Sequence, residues 1–136
     1  MVYMKYLLGQ TGLFPKWEPK VEDVLYAASC VRDVKHIVTP RRNHYYYVRP
    51  NAYDIRSVYS MLPVFRANGV ILRPHRSHNY HSIVFRVPNR GQRFMHDVMR
   101  VTSDSENFHK VLQERGIENP SENLLRAFEK LKYQQR

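Results

Sequence analysis

The stretch His44-Tyr45-Tyr46-Tyr47-Val48-Arg49-Pro50 decides how the rest of this chain is read. Aromatic and β-branched side chains suit a pleated, half-buried surface, and Pro50 cannot donate to a ladder, so the run predicts a strand that starts at His44 and ends at Pro50. Successive side chains on a strand point to opposite faces. With Val48 taken as inward, Tyr46 and His44 belong to the core face, while Tyr45, Tyr47 and Arg49 belong to the outer one.

Working toward the C-terminus, Asn51 followed by Asp54 reads as a helix cap with an acidic first turn, and Ile55, Val58, Tyr59 and Leu62 read as one apolar helical face. Pro63 is expected to kink or end that helix. Gly69 punctuates the chain, Val70 to Arg76 reads as a second strand, and Arg76-Ser77-His78-Asn79 reads as a hairpin connection to a third strand, Tyr80 to Val87. Alternation puts Ile71, Arg73 and His75 outward on the second strand, and Tyr80, Ser82, Val84 and Arg86 outward on the third, with Ile83, Phe85 and Val87 inward. Pro88 to Gly91 breaks the chain before a short helix marked by Phe94, Val98 and Met99.

The flanks are helical. Behind Pro19, the residues Val21, Val24, Leu25, Ala28, Val31 and Arg32 recur at three-to-four spacing and predict an amphipathic helix reaching about Val34, followed by a turn over Thr39 to Asn43. Cys30, the single cysteine, falls on its apolar side, where a buried thiol is expected; it excludes an internal disulfide and fits a reducing, intracellular, cytoplasmic setting. Near the C-terminus Ser105 and Ser121 each precede an apolar periodic run, and Gly116 and Pro120 separate the two runs, so a helical hairpin is expected. The chain therefore predicts an α+β fold in one domain over residues 1–136. A small antiparallel sheet with a strand-helix-strand-strand-helix middle is flanked by an N-terminal helix and a C-terminal helical hairpin.

Composition narrows function through the placement of charge. Hydrophobic residues at 43% allow a real core, and the net charge is +10. Met1 to Asp33 and Val101 to Arg136 are each balanced, whereas Lys35 to Arg100 holds twelve basic residues, eleven of them arginine, against Asp54 and Asp97 alone. A charge confined to one segment points to a surface that meets a polyanion, and arginine favours bidentate phosphate contact and stacking on bases. The expected outer face combines Tyr45, Tyr47 and Tyr80 with Arg49, Arg73, Arg86 and His75, and Arg41, Arg42, Arg76 and His78 lie in the adjoining turns. Such a surface suits single-stranded nucleic acid, RNA ahead of DNA, alone or within a ribonucleoprotein.

Two other classes compete. Histidine and arginine could together cleave RNA without a metal, but His81-Ser82 has no matching second element, and the basic segment has too few carboxylates for a two-metal site. A basic interaction protein, such as a ribonucleoprotein subunit or an inhibitor of a nucleic-acid enzyme, would carry a similar charge. His75, His78 and His81 lack a standard metal-ligand spacing, and no phosphate-binding loop or nucleophile elbow is present, so neither catalysis nor a cofactor is expected. The apolar run near the N-terminus is broken at Gly9, so no membrane partner or export signal is expected.

Overall fold

The computed structural model describes residues 20–51, 55–70 and 83–134. The elements run α1 (Val21–Cys30), β1 (Val31–Val38), β2 (His44–Pro50), α2 (Ile55–Ala67), β3 (Ile83–Arg86), α3 (Asn89–Ser103), α4 (Asn107–Glu114) and α5 (Glu122–Gln134). The result is an α+β fold in which a three-stranded antiparallel sheet, in the order β1-β2-β3, is accompanied by helices on both sides in sequence.

The first departure from expectation is at Val31. The helix predicted to reach Val34 stops at Cys30, and Val31–Val38 forms a strand. Val31, Val34, Ile37 and Val38 are β-branched and lose side-chain freedom in a helix, while pairing with β2 satisfies their backbone in a conformation they favour. The spacing of Ala27, Ala28 and Val31 fits either state locally, and long-range pairing decides between them. Cys30, at the junction, is half-buried, and burial raises its thiol pKa.

A tight turn joins β1 to β2 where the turn signal lay. The Arg42 amide donates to the Thr39 carbonyl at 2.8 Å, Pro40 occupies the position whose φ proline presets, and Arg42 takes a left-handed φ of 62°. The Thr39 amide then donates to the Asn43 carbonyl at 3.0 Å, and the Asn43 amide to Thr39 Oγ1 at 3.1 Å. This three-residue connection fixes the register: Val34 opposes Val48, Lys35 opposes Tyr47, His36 opposes Tyr46 and Ile37 opposes Tyr45. On the other side of β2, Tyr45 opposes Arg86, Tyr46 opposes Phe85, Tyr47 opposes Val84 and Val48 opposes Ile83.

The core lies on the face that parity assigned. Tyr46, Val48 and Phe85 are completely buried, Val87 nearly so, and Ile83 packs against them. Phe65 of α2 meets Phe85 edge-on at 5.8 Å and Phe94 of α3 at 5.7 Å, so these two helices close over the sheet. Phe108 of α4 and Phe128 of α5 extend the same cluster, with ring centroids 5.5 Å apart. The α3–α4 junction adds a buried ion pair between Asp97 and Arg115, each side chain only 4% exposed, and a two-pronged bond from Arg100 to Glu114.

Several further expectations are corrected or qualified. Helix α2 runs through Pro63 to Ala67: Pro63 and Tyr59, four residues earlier, are both exposed, so the carbonyl that loses its donor faces water. Among the described side chains of α2, Met61 and Phe65 are buried, and Tyr59, expected inside, is 66% exposed. Asn51 holds the end of α1, its side-chain amide donating to the Ser29 carbonyl at 2.7 Å. Helix α4 is entered at Glu106, whose amide donates to the Asp104 carboxylate at 3.0 Å, one residue beyond the serine expected to cap it. Ser121 does cap α5, its Oγ accepting from the Leu124 amide at 3.2 Å.

Both interior glycine stops behave as read. Gly69 (φ 87°) and Gly116 (φ 68°) end α2 and α4 with paired reverse bonds, Val70 amide to Phe65 carbonyl and Ile117 amide to Leu112 carbonyl, each at 3.0 Å. Val70 itself is in no strand, the rest of the strand expected from it and the hairpin at 76–79 lie outside the described residues, and the third strand is described as Ile83–Arg86.

Candidate functional site

The outer face of the sheet is assembled around β2, the middle strand. Tyr45 and Tyr47 are half-buried there, with rings on the side away from the core. Strand β1 sets Ile37 beside Tyr45 and Lys35 beside Tyr47, and β3 sets Arg86 beside Tyr45 and Val84 beside Tyr47. Lys35 and Arg86 are exposed, as are Arg41 and Arg42 in the turn. Arg86 Nη2 donates to Asn43 Oδ1 at 3.1 Å, which ties β3 to that turn while leaving the arginine's charge uncompensated, because asparagine is neutral.

Arg49 differs. Its Nη2 lies 2.6 Å from Asp33 Oδ2 on β1, with both side chains nearly half exposed. An exposed pair of this kind is worth about 0–1 kcal/mol, so it cancels charge without locking the side chain. Of the residues singled out from sequence, Tyr45, Tyr47, Arg49 and Arg86 share the outer face of the sheet, with Arg41 and Arg42 in the turn at one end and Arg49 at the other. Arg73, His75, Arg76, His78 and Tyr80 lie outside the described residues.

Sequence reasoning missed Lys35 and Ile37. Both sit on β1, whose first half reads by spacing as the end of the first helix and whose second half, residues 35–38, falls in no predicted element; the signal that could have found them is the alternation of Val34, His36 and Val38 with Lys35 and Ile37. Val84 is a smaller surprise, since parity places it outward yet it is buried. The cleft lined by Arg32, Asn51, Asp104, Glu106 and Lys132 is a weaker candidate for a polyanion, because it mixes both signs of charge.

A second cluster sits on the core side of the same strands. The His36 ring stacks on Tyr46 at 4.3 Å and 4°, and against His44 at 5.0 Å and 19°. His96 from α3 meets His36 at 5.2 Å and Tyr46 at 6.1 Å, perpendicular to both. His36 Nε2 and His44 Nδ1 are 2.8 Å apart, a hydrogen bond whose donor depends on the tautomers. Burial first, then His96 and His44, hold the His36 pKa below the usual histidine value. Burial likewise pushes the Tyr46 phenol up to about 12, and its hydroxyl has no hydrogen-bond partner among the described residues. Among the described residues no group of three histidine, cysteine or carboxylate side chains is arranged to hold a metal ion, and no helix is long and apolar enough to cross a membrane.

Comparison with protein-family models, with curated proteins and with solved structures finds no match to this chain.

Proposed function

We propose that this protein binds single-stranded nucleic acid, RNA ahead of DNA, on the outer face of its sheet. The observation that carries the reading is the composition of that face: two tyrosines on the middle strand, with Lys35 on one neighbouring strand, Arg86 on the other, and Arg41 and Arg42 at the adjoining turn. Tyrosine rings stack on unpaired bases whatever their identity, and the cations neutralise the phosphates between them. A duplex hides its base faces, so a flat aromatic platform selects the single strand.

Titration of labelled single-stranded RNA, single-stranded DNA and duplex over a range of salt tests this. Four cations on phosphates, at about −0.7 each for a single strand, give a slope of log affinity against log salt of about −3. RNA is expected to bind most tightly and duplex least. Failure to bind any of the three, or tight binding indifferent to salt, would overturn the proposal.

A further inference from the structure

We propose that His36, His44 and His96 form a proton-gated subsite for a phosphodiester group, so that the protein holds the nucleic-acid backbone more tightly as the pH falls below neutrality. The inference rests on the nucleic-acid reading above and adds to it a second contact and a means of regulation.

Geometry carries the argument. His36 lies in ring contact with both His44 and His96, so imidazoles from three separate elements meet around it, and His36 and His44 share a 2.8 Å hydrogen bond. That bond requires at least one of the two facing nitrogens to be without a proton. Once both rings are charged, both facing atoms are donors, the bond is lost, and the charges repel unless an anion lies against them. A phosphate oxygen accepts from protonated imidazole and supplies the missing negative charge. His96 is exposed and His36 and His44 are half-buried, so the cluster is within reach of a ligand from solvent.

Among the described residues, the surroundings supply no carboxylate for the purpose. The titratable groups facing His36 are His44 and Tyr46 from β2 and His96 from α3, and Tyr46 stays neutral. On α3, Asp97 is engaged by Arg115 and Arg100, while Arg93 and Arg100, one turn either side of His96, are cations. On α1, Asp23 accepts from Asn68 and Tyr26 is turned to the Ser60 carbonyl. No ion pair among the described residues reaches His36, His44 or His96. The depressed His36 pKa means that this ring gives up its proton more readily than a free imidazole, and an anion seated against it restores the proton. Affinity then rises with falling pH by about tenfold per pH unit for each proton taken up.

The test is a histidine-resolved NMR titration of the wild-type protein between pH 8 and pH 5, with no addition, with inorganic phosphate and with single-stranded RNA, alongside RNA affinity over the same range. RNA is expected to raise the pKa values of all three histidines, inorganic phosphate to do so more weakly, and affinity to climb as the pH falls. His36→Gln and His96→Gln are each expected to flatten that climb, and His109→Gln, on α4 beside Glu106, to leave it intact. RNA binding that leaves the three titrations unmoved, or a pH dependence that persists in both His36→Gln and His96→Gln, would overturn the subsite while leaving nucleic-acid binding standing. Shifts with phosphate but not with RNA would overturn its assignment to a nucleic-acid backbone. Absence of RNA binding at every pH would overturn the subsite together with the function beneath it.

Discussion

Tyr46 and Tyr47 stand next to each other in the chain and face opposite sides of β2, and substitutions at the two should fail in different ways. Tyr46 is fully buried, so Tyr46→Ala is expected to cost about 3–5 kcal/mol of stability, as for other large aromatic truncations. Its hydroxyl has no partner among the described residues, so Tyr46→Phe should cost nothing measurable in urea denaturation, and removal of an unsatisfied polar atom favours a gain. Tyr47→Ala should keep most of the stability and lose about 1–3 kcal/mol of RNA affinity, the value of one stacked base. Arg42 combines a charge with a left-handed backbone. Arg42→Gly is expected to stabilise the protein by about 1 kcal/mol, by relief of the side-chain clash at positive φ, while reducing the salt slope of RNA binding by about 0.7. Thermal melting and titration of the same variant check both halves. The facing of each tyrosine was legible because one residue, Val48, fixes the parity of its strand. The neutralisation of Arg49 was not, since Asp33 lay in a stretch whose spacing suited a helix.

At the scale of elements, periodicity was legible wherever one face alone is buried. Helices α3, α4 and α5 carry buried residues at helical spacing, such as Phe94, Val98 and Val101, and the glycine stops after α2 and α4 were readable as well. The switch from α1 to β1 was not, because Val31 satisfies both periods and the pairing that decides the matter comes from β2, beyond the turn. Nor could sequence reveal that Asp97 and Arg115, eighteen residues apart, meet inside the α3–α4 junction. Asp97→Asn keeps the shape and removes the negative charge against which Arg115 is buried. The expected loss is about 3–5 kcal/mol in chemical denaturation, the cost of an uncompensated interior charge, and a loss under 1 kcal/mol would mean that solvent reaches the arginine. Since α3 also carries His96, the same variant tests whether the junction holds the histidine cluster in place: the His96 resonance should broaden or shift along with the stability loss.

For the molecule as a whole, the informative quantity is where the charge is left after folding. The sequence put the entire excess between Lys35 and Arg100. Folding withdraws part of it, because Arg49 is paired with Asp33 and Arg100 with Glu114 and Asp97, and leaves Lys35, Arg41, Arg42 and Arg86 at the surface around Tyr45 and Tyr47. Helices α4 and α5 are expected to brace this arrangement from the far side of the core without meeting the ligand. The central claim, that the outer face of the sheet is the binding surface, is tested most directly by backbone amide shift mapping during addition of a short single-stranded RNA. The largest changes should fall on Lys35, Arg41, Arg42, Tyr45, Tyr47 and Arg86, with α4 and α5 unmoved. Saturable binding with its largest changes on α4 and α5, and none on β2, would contradict the account.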